Sequence, residues 1–215
     1  MEIDQEMGVT LLLDDATVAN IESAAVEMAR NVGMILAGYY GTVMEVEYKS
    51  QAKTDPATDA DKACQEYIKG EVSAKFPHHG FVGEEDLDPG ESIAPEIVWV
   101  VDPLDGTINF LNGLPIYASS IGVMYRGVPI AGAIFLPWPS VKDGVLIHAR
   151  IGGGAFFLDQ PITVFKNAKP ESQRLTILPT SFRSVYRVGK QIRGKLGDVR
   201  IMGSSVYELA MTAKG

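Results

Sequence analysis

The sequence predicts an α+β protein whose C-terminal part turns to α/β. Three observations carry this. Two early stretches repeat apolar residues at helical spacing. The middle of the chain changes to short apolar runs separated by glycine-bearing turns. From Leu175 onward, strand-like and helix-like segments alternate. The chain accordingly divides into an α+β half over residues 1–165 and the start of an α/β half over 166–215.

Thr17 to Tyr40 forms the first helix, with Ile21, Ala25, Met28, Val32, Leu36 and Tyr39 on one face and Asp15 or Thr17 as cap. Met44 to Tyr48 reads as a short strand and Lys49 to Thr58 as a polar loop. A second helix runs from about Asp59 to Lys75, buries Cys64, Tyr67, Ile68, Val72 and Phe76, and stops at Pro77. Gly80 to Gly83 leads into an acidic loop. Ile97 to Val101 reads as a buried strand, followed by a turn over Asp102 to Gly106 and a short helix that ends before Gly113. Ala118 to Tyr125 and Val128 to Leu136 form a hairpin around Arg126-Gly127. Gly144 to Ala149 and Ala155 to Leu158 form another around Gly152-Gly153-Gly154, a glycine run with no Lys-Ser/Thr after it and hence no phosphate loop. The last segments are a strand at Leu175 to Leu178, a helix at Ser184 to Leu196, a strand at Asp198 to Ile201 and a helix from Ser204.

With 46% hydrophobic and 21% charged residues, the 215-residue chain has an ordinary globular composition. It has no apolar run of bilayer-spanning length and no secretory signal pattern, and its single cysteine forms no intrachain disulfide, so a cytoplasmic protein is expected. A net charge of −8 argues against nucleic acid or an anionic membrane as partner. The charge is also uneven. Phe76 to Tyr125 holds no Lys or Arg, yet it carries Glu84, Glu85, Asp86, Asp88, Glu91, Glu96, Asp102 and Asp105. Asp86 to Glu96 read as a solvated loop. Asp102 and Asp105 stand at the mouth of a buried strand and need positive charge from elsewhere. A metal ion is the simplest source, and a Lys or Arg folding back from a distance is the alternative.

Three segments bear the chemistry: Asp55-Pro-Ala-Thr58-Asp-Ala-Asp61, Gly83-Glu84-Glu85, and Trp99-Val-Val-Asp-Pro-Leu-Asp-Gly-Thr-Ile-Asn-Phe110. In the last, Pro103 stiffens and Gly106 closes a turn across which Asp102 and Asp105 can face one cation. Hard carboxylate ligands suit Mg²⁺. A helix starting at Gly106 would leave the amides of Gly106 and Thr107 free for phosphate oxygens. Other readings stand beside these. Thr58 can be a helix cap, Asp59 competes with Asp61, Glu85 can be solvated, and Ser204 can be an N-cap. His78, His79 and His148 match no ligand spacing, and Trp99 and Trp138 read as packing residues.

The twelve-residue string resembles the signature of the inositol monophosphatase family, in the lithium-sensitive phosphatase superfamily that includes fructose-1,6-bisphosphatases. Gly83-Glu84-Glu85 is similar to the family's upstream Gly-Glu-Glu. Asp55, Thr58 and Asp61 resemble its Asp-x-Val-Thr-x-x-Asp segment, with Ala57 in place of Val. Arg200-Ile-Met-Gly203-Ser204-Ser205 resembles its substrate segment. The resemblance implies a layered αβαβα sandwich of the sugar and inositol phosphatase type, with its C-terminal layers incomplete here. It implies hydrolysis of a small phosphate ester with two or three Mg²⁺ ions, inhibition by lithium, and a homodimer. Glu84, Asp102 and the Leu104 carbonyl would bind the first ion, and Asp102 and Asp105 would share the second. Glu85 would assist a third. Thr107, bonded to Asp61, would orient the attacking water, with Glu84 as an assisting base. Gly106 and Thr107 would bind phosphate, and Gly203 and Ser204 would touch substrate hydroxyls. Lys49 or Lys53 would lie near the metal loop.

The family also has a later Trp-Asp-x-Ala-Ala/Gly motif whose Asp binds the second ion, and the chain ends before it. A fragment of a longer protein, with weak or no turnover by itself, is therefore expected. The candidate substrates are inositol monophosphate or a similar polyol phosphate, with fructose-1,6-bisphosphate, histidinol phosphate and 3′-phosphoadenosine 5′-phosphate as alternatives. A non-catalytic metal- or phosphate-binding domain is the reading from a different class.

Overall fold

The computed structural model describes residues 13–48, 56–84, 95–138, 141–164 and 201–214. Helix α1 spans Asp15–Tyr39 and α2 Asp59–Lys75. Strands β1 (Val46–Tyr48) and β2 (Pro56–Thr58) form a two-stranded antiparallel ribbon. The main sheet follows: β3 (Gly80–Gly83), β4 (Ile97–Asp105), β5 (Ala118–Tyr125), β6 (Val128–Trp138), β7 (Val141–Arg150), β8 (Gly154–Phe157) and β9 (Gln160–Ile162). Helix α3 (Thr107–Leu111) interrupts it after β4, and α4 (Ser205–Lys214) closes the described chain. The seven strands lie in sequence order. Only β3 and β4 run parallel, and each later neighbour is antiparallel.

The antiparallel order follows from short turns. Arg126 and Gly127 both adopt positive φ, at 48° and 82°, as a two-residue hairpin with the twist of its strands requires. Leu158 and Asp159 do the same between β8 and β9. Neither is glycine, which is why the sequence carries no sign of β9.

Helices α1 and α2 cover one face of the sheet. Ile21, Met28, Val32 and Leu36 from α1, with Cys64 and Ile68 from α2, pack on Trp99, Ile121, Val123 and Phe135. Gly33 lets α1 come this close, since a Cβ there would lie 2.2 Å from the Phe135 ring. On the opposite face, Ala210 of α4 packs against Ala118, Leu136, Val145 and Ile147. Among the described residues no helix is long and apolar enough to cross a membrane.

Several boundaries differ from the sequence reading. The α1 cap is Asp14, whose carboxylate accepts from the Thr17 amide at 2.7 Å, because the helix begins at Asp15, two residues before Thr17. Thr58 belongs to β2, not to a loop. Gly80–Gly83 is a strand, hidden in sequence by its two glycines. Strand β4 continues through Asp105. Ile201 lies outside any strand, and the segments expected over 175–200 fall outside the described residues, as does the boundary drawn at 165/166.

Two glycines give opposite expectations. Gly33→Ala overpacks against Phe135 and lowers stability by about 1–3 kcal/mol. Gly70→Ala, inside α2 with nothing within 4 Å of the new methyl, raises it by about 0.5–1 kcal/mol. Urea unfolding with an unchanged slope checks both, and equal effects would contradict this packing of α1.

Candidate metal and phosphate site

Strand β4 carries an irregularity that shapes the site. Asp102 pairs with Ser120, but Asp105 pairs with Ala118, so three steps on β4 match two on β5. In a regular strand, residues three apart point to opposite faces. The extra residue at Pro103-Leu104 is a β-bulge, and it turns Asp102 and Asp105 to the same face. Pro103 suits this position because it has no N–H for the ladder. Asp102 Oδ1 accepts from the Leu104 amide at 3.2 Å, closing a local turn across the bulge.

Glu84 arrives from the neighbouring parallel strand. Gly83 is opposite Val101, and the Glu84 amide donates to the Val101 carbonyl at 3.0 Å. Gly83 is small by necessity, because a Cβ would lie 2.1 Å from the Gln65 side chain. Glu84 thereby meets Asp102 in a carboxyl–carboxyl hydrogen bond. Gly106 ends the strand with φ +88°, and a Cβ there would approach the Ile116 carbonyl and Ser204 to 3.0 Å. Thr107 then opens α3.

Asp61 comes from α2 through a capping box. Thr58 is the N-cap, and Asp61 Oδ2 accepts from both the amide (2.8 Å) and the hydroxyl of Thr58. Asp61 is 1% exposed. Its other oxygen, Oδ1, lies 3.3 Å from Thr107 Oγ1, which also donates to the Leu104 carbonyl at 2.9 Å. One hydroxyl hydrogen is thus shared between two acceptors. Asp105 is fastened to α4: its Oδ2 accepts from the Ser204 hydroxyl (2.5 Å) and the Val206 amide (2.7 Å). Ser204 in turn caps the helix by accepting from the Tyr207 amide at 3.2 Å.

Glu84, Asp102, Leu104, Asp105, Thr107 and Gly203 line one cavity. Burial and the Glu84 charge push the Asp102 carboxyl up to about 9. Asp105 is raised by burial against the lowering effect of its bonds to Ser204 and Val206. Among the described residues, no Lys, Arg or His lines the cavity. The donors are all hard oxygens, and the proton that Asp102 retains is one a cation would displace, so the set fits Mg²⁺ in chemistry. Among the described residues, no three acidic, His or Cys side chains close into a ready metal cage. The oxygens are turned to each other and to Ser204 instead.

The structure therefore brings together Asp61, Glu84, Asp102, Leu104, Asp105, Gly106, Thr107, Gly203 and Ser204. Ser204 is 1% exposed and aims its hydroxyl at Asp105. Glu85, Lys49, Lys53 and Asp55 lie outside the described residues. Asp59 is exposed and takes no part in the Thr107 contact, which Asp61 makes. Sequence reasoning missed Gln65, Asn109 and Glu208. Asn109 donates to the carbonyls of Ile116 and Met202, both at 2.7 Å. Its place within the Asp102–Phe110 string was a signal, but its partner 93 residues away was not. His79 also differs from a plain loop residue, since its Nδ1 accepts from the Trp99 indole at 3.0 Å.

Comparison with known proteins gives a consistent result. The model of the inositol monophosphatase family matches residues 17–215. Inositol monophosphatase 3 of Solanum lycopersicum is 35% identical over 71% of this chain and 56% of its own length. A fructose-1,6-bisphosphatase/inositol-1-monophosphatase of Aquifex aeolicus is 32% identical over 85% of the chain and 69% of its own length. The solved structure of an inositol monophosphatase from Thermotoga maritima superposes with a TM-score of 0.77 at 26% identity, covering 91% of this chain and 73% of that one. The chain thus spans between about half and three quarters of the proteins it resembles. With its match to the family model and its shared fold, the chain belongs to the inositol monophosphatase family.

Proposed function

We propose that this chain carries the metal- and phosphate-handling part of a Mg²⁺-dependent phosphomonoesterase acting on inositol monophosphate or a similar small polyol phosphate. The observation that supports this most is the β4 bulge, which turns Asp102 and Asp105 into one cavity with Glu84 and the Thr107–Asp61 pair. Fructose-1,6-bisphosphate is the second substrate candidate, since the name of the Aquifex relative joins both activities.

Glu84, Asp102, the Leu104 carbonyl and Asp105 hold two Mg²⁺ ions in this reading, and Glu85 assists a third. Bound Mg²⁺ supplies Lewis acidity that acidifies water and stabilises the leaving alkoxide. Thr107 accepts a hydrogen bond from the attacking water through its hydroxyl oxygen. Its own hydrogen is shared between the Leu104 carbonyl and Asp61 Oδ1, which the capping box keeps in place. Glu84 assists in removing the water's proton. The Gly106 and Thr107 amides, at the open end of α3, bind phosphate oxygens. Gly203 borders the substrate, whereas Ser204 serves mainly to hold Asp105. Lithium inhibits by competing for a Mg²⁺ position, and the working unit is a homodimer.

Two predictions follow from this geometry. Phosphate release from inositol 1-phosphate requires Mg²⁺, and Asp102→Asn lowers it at least about 100-fold, the scale of losing a transition-state charge contact. Release unaffected by the substitution, measured by phosphate assay, would sink the assignment of Asp102.

The other concerns stability. A carboxyl whose folded-state pKa is raised binds its proton more tightly when folded. Its penalty is absent below the unfolded value near 4 and grows as pH climbs toward the folded value of about 9. The metal-free protein therefore loses stability from acid to alkaline pH through Asp102. Mg²⁺ raises the melting temperature more at pH 8 than at pH 5. Asp102→Asn raises the metal-free melting temperature at pH 8 and shrinks the Mg²⁺ response. A Mg²⁺ response independent of pH, by scanning calorimetry, would contradict it.

A further inference from the structure

Side chains hold Met202 by both of its backbone polar groups. Its amide donates to Glu208 Oε1 at 2.6 Å, and its carbonyl accepts from Asn109 Nδ2 at 2.7 Å. The same Nδ2 donates to the Ile116 carbonyl, so one amide group ties α3, the start of β5 and the loop before α4. The loop then has little choice of path. Gly203 takes φ +80°, and a Cβ there would meet the Asn109 amide at 3.1 Å. Next comes Ser204, whose hydroxyl bonds Asp105, and two residues later the Val206 amide bonds the same oxygen.

Neither Asn109 nor Glu208 lines the cavity. Glu208 is nevertheless 1% exposed, and its second oxygen, Oε2, is buried with no hydrogen-bond partner among the described residues. An unsatisfied buried oxygen is costly to stability. A carboxyl kept at such a place fits a role in placing Met202 better than a role in filling the core.

We propose that Asn109 and Glu208 are positioning residues for Asp105. Gripping the Met202 peptide from both sides, they hold the Gly203–Ser204 turn, and through it the Asp105 carboxylate, in the orientation that receives Mg²⁺. The Ser204 and Val206 bonds both fall on Oδ2, so the grip bears on where Oδ1 points. The inference rests on the reading of Asp105 as a metal ligand.

The test is Mg²⁺ titration calorimetry on the full chain, with urea unfolding of every variant alongside. Glu208→Ala and Asn109→Ser each weaken Mg²⁺ binding about 10-fold, the usual scale for residues that orient a ligand. Glu208→Gln keeps an oxygen at Oε1 for the Met202 amide and restores most of the affinity. Ser204→Ala added to Glu208→Ala costs little more, because both act through the same carboxylate. Should Glu208→Ala fail to fold, Asn109→Ser carries the test, with Glu208→Gln compared to the unsubstituted chain. Lower stability with unchanged Mg²⁺ affinity would overturn the positioning role, as would Glu208→Gln binding no better than Glu208→Ala. A different result marks failure of the underlying reading: no Mg²⁺ binding by the unsubstituted chain, or Asp105→Asn leaving the affinity unchanged.

Discussion

The site depends on one extra residue in β4. Side chains alternate along a strand, so carboxylates three positions apart belong on opposite faces. Without the bulge between Asp102 and Asp105, one of them would point among the apolar residues packed under α1 and α2. With it, both reach the cavity. The neighbouring choices serve the same end. Pro103 gives up a ladder bond where the ladder is already broken. Gly106 takes the left-handed conformation that lets the chain leave the sheet, and it is also the residue with no room for a side chain. The parallel pairing of β3 then brings Glu84 alongside Asp102 without any further turn.

Gathering acids this way works against the fold. Burial and mutual repulsion hold the Asp102 proton on, and Asp105 is raised as well. Proteins tolerate such crowding where the charge is wanted for binding. Here the protein offsets it unequally. Asp105 receives two donors from the first turn of α4, where the helix presents unpaired amides and the positive end of its dipole. Asp102 receives the single Leu104 amide, and its nearest neighbour is another acid. The least relieved of the aspartates is therefore Asp102, beside Glu84.

Much of this was legible in the sequence, for local reasons. The period of Ile21 to Tyr39 marks α1, and Arg126-Gly127 marks a hairpin, because each signal lies within a few residues. The acidic string and the absence of Lys and Arg around it pointed to the acids that the structure brings to one cavity. What stayed hidden depended on distant contacts. Strand β3 exists because Gly80–Gly83 finds β4 as a partner, and nothing in four residues with two glycines says so. Asn109 looked like one more residue of the string until Met202 met it. Glu208 was not singled out within the helix from Ser204, yet it is buried and accepts from the Met202 amide. Ser204 was read both as a substrate contact and as a helix cap. The structure has it capping α4 while its hydrogen goes to Asp105.

A common device runs through the site. Each aspartate is tied by one oxygen to a donor nearby in the fold. Asp61 uses Oδ2 for Thr58, Asp102 uses Oδ1 for the Leu104 amide, and Asp105 uses Oδ2 for Ser204 and Val206. Two of these ties sit at helix N-termini, where capping is required in any case. A carboxylate fixed by one oxygen can no longer rotate freely, so less side-chain entropy is lost when the other oxygen takes a ligand. Such restraint on each carboxylate is the part of electrostatic preorganisation that the fold itself supplies. Glu84 is the member brought in by a strand end and left exposed beside the others. For the proposed reaction, in which water gives up a proton, an exposed acid beside three tethered ones is the one from which that proton can pass on to solvent.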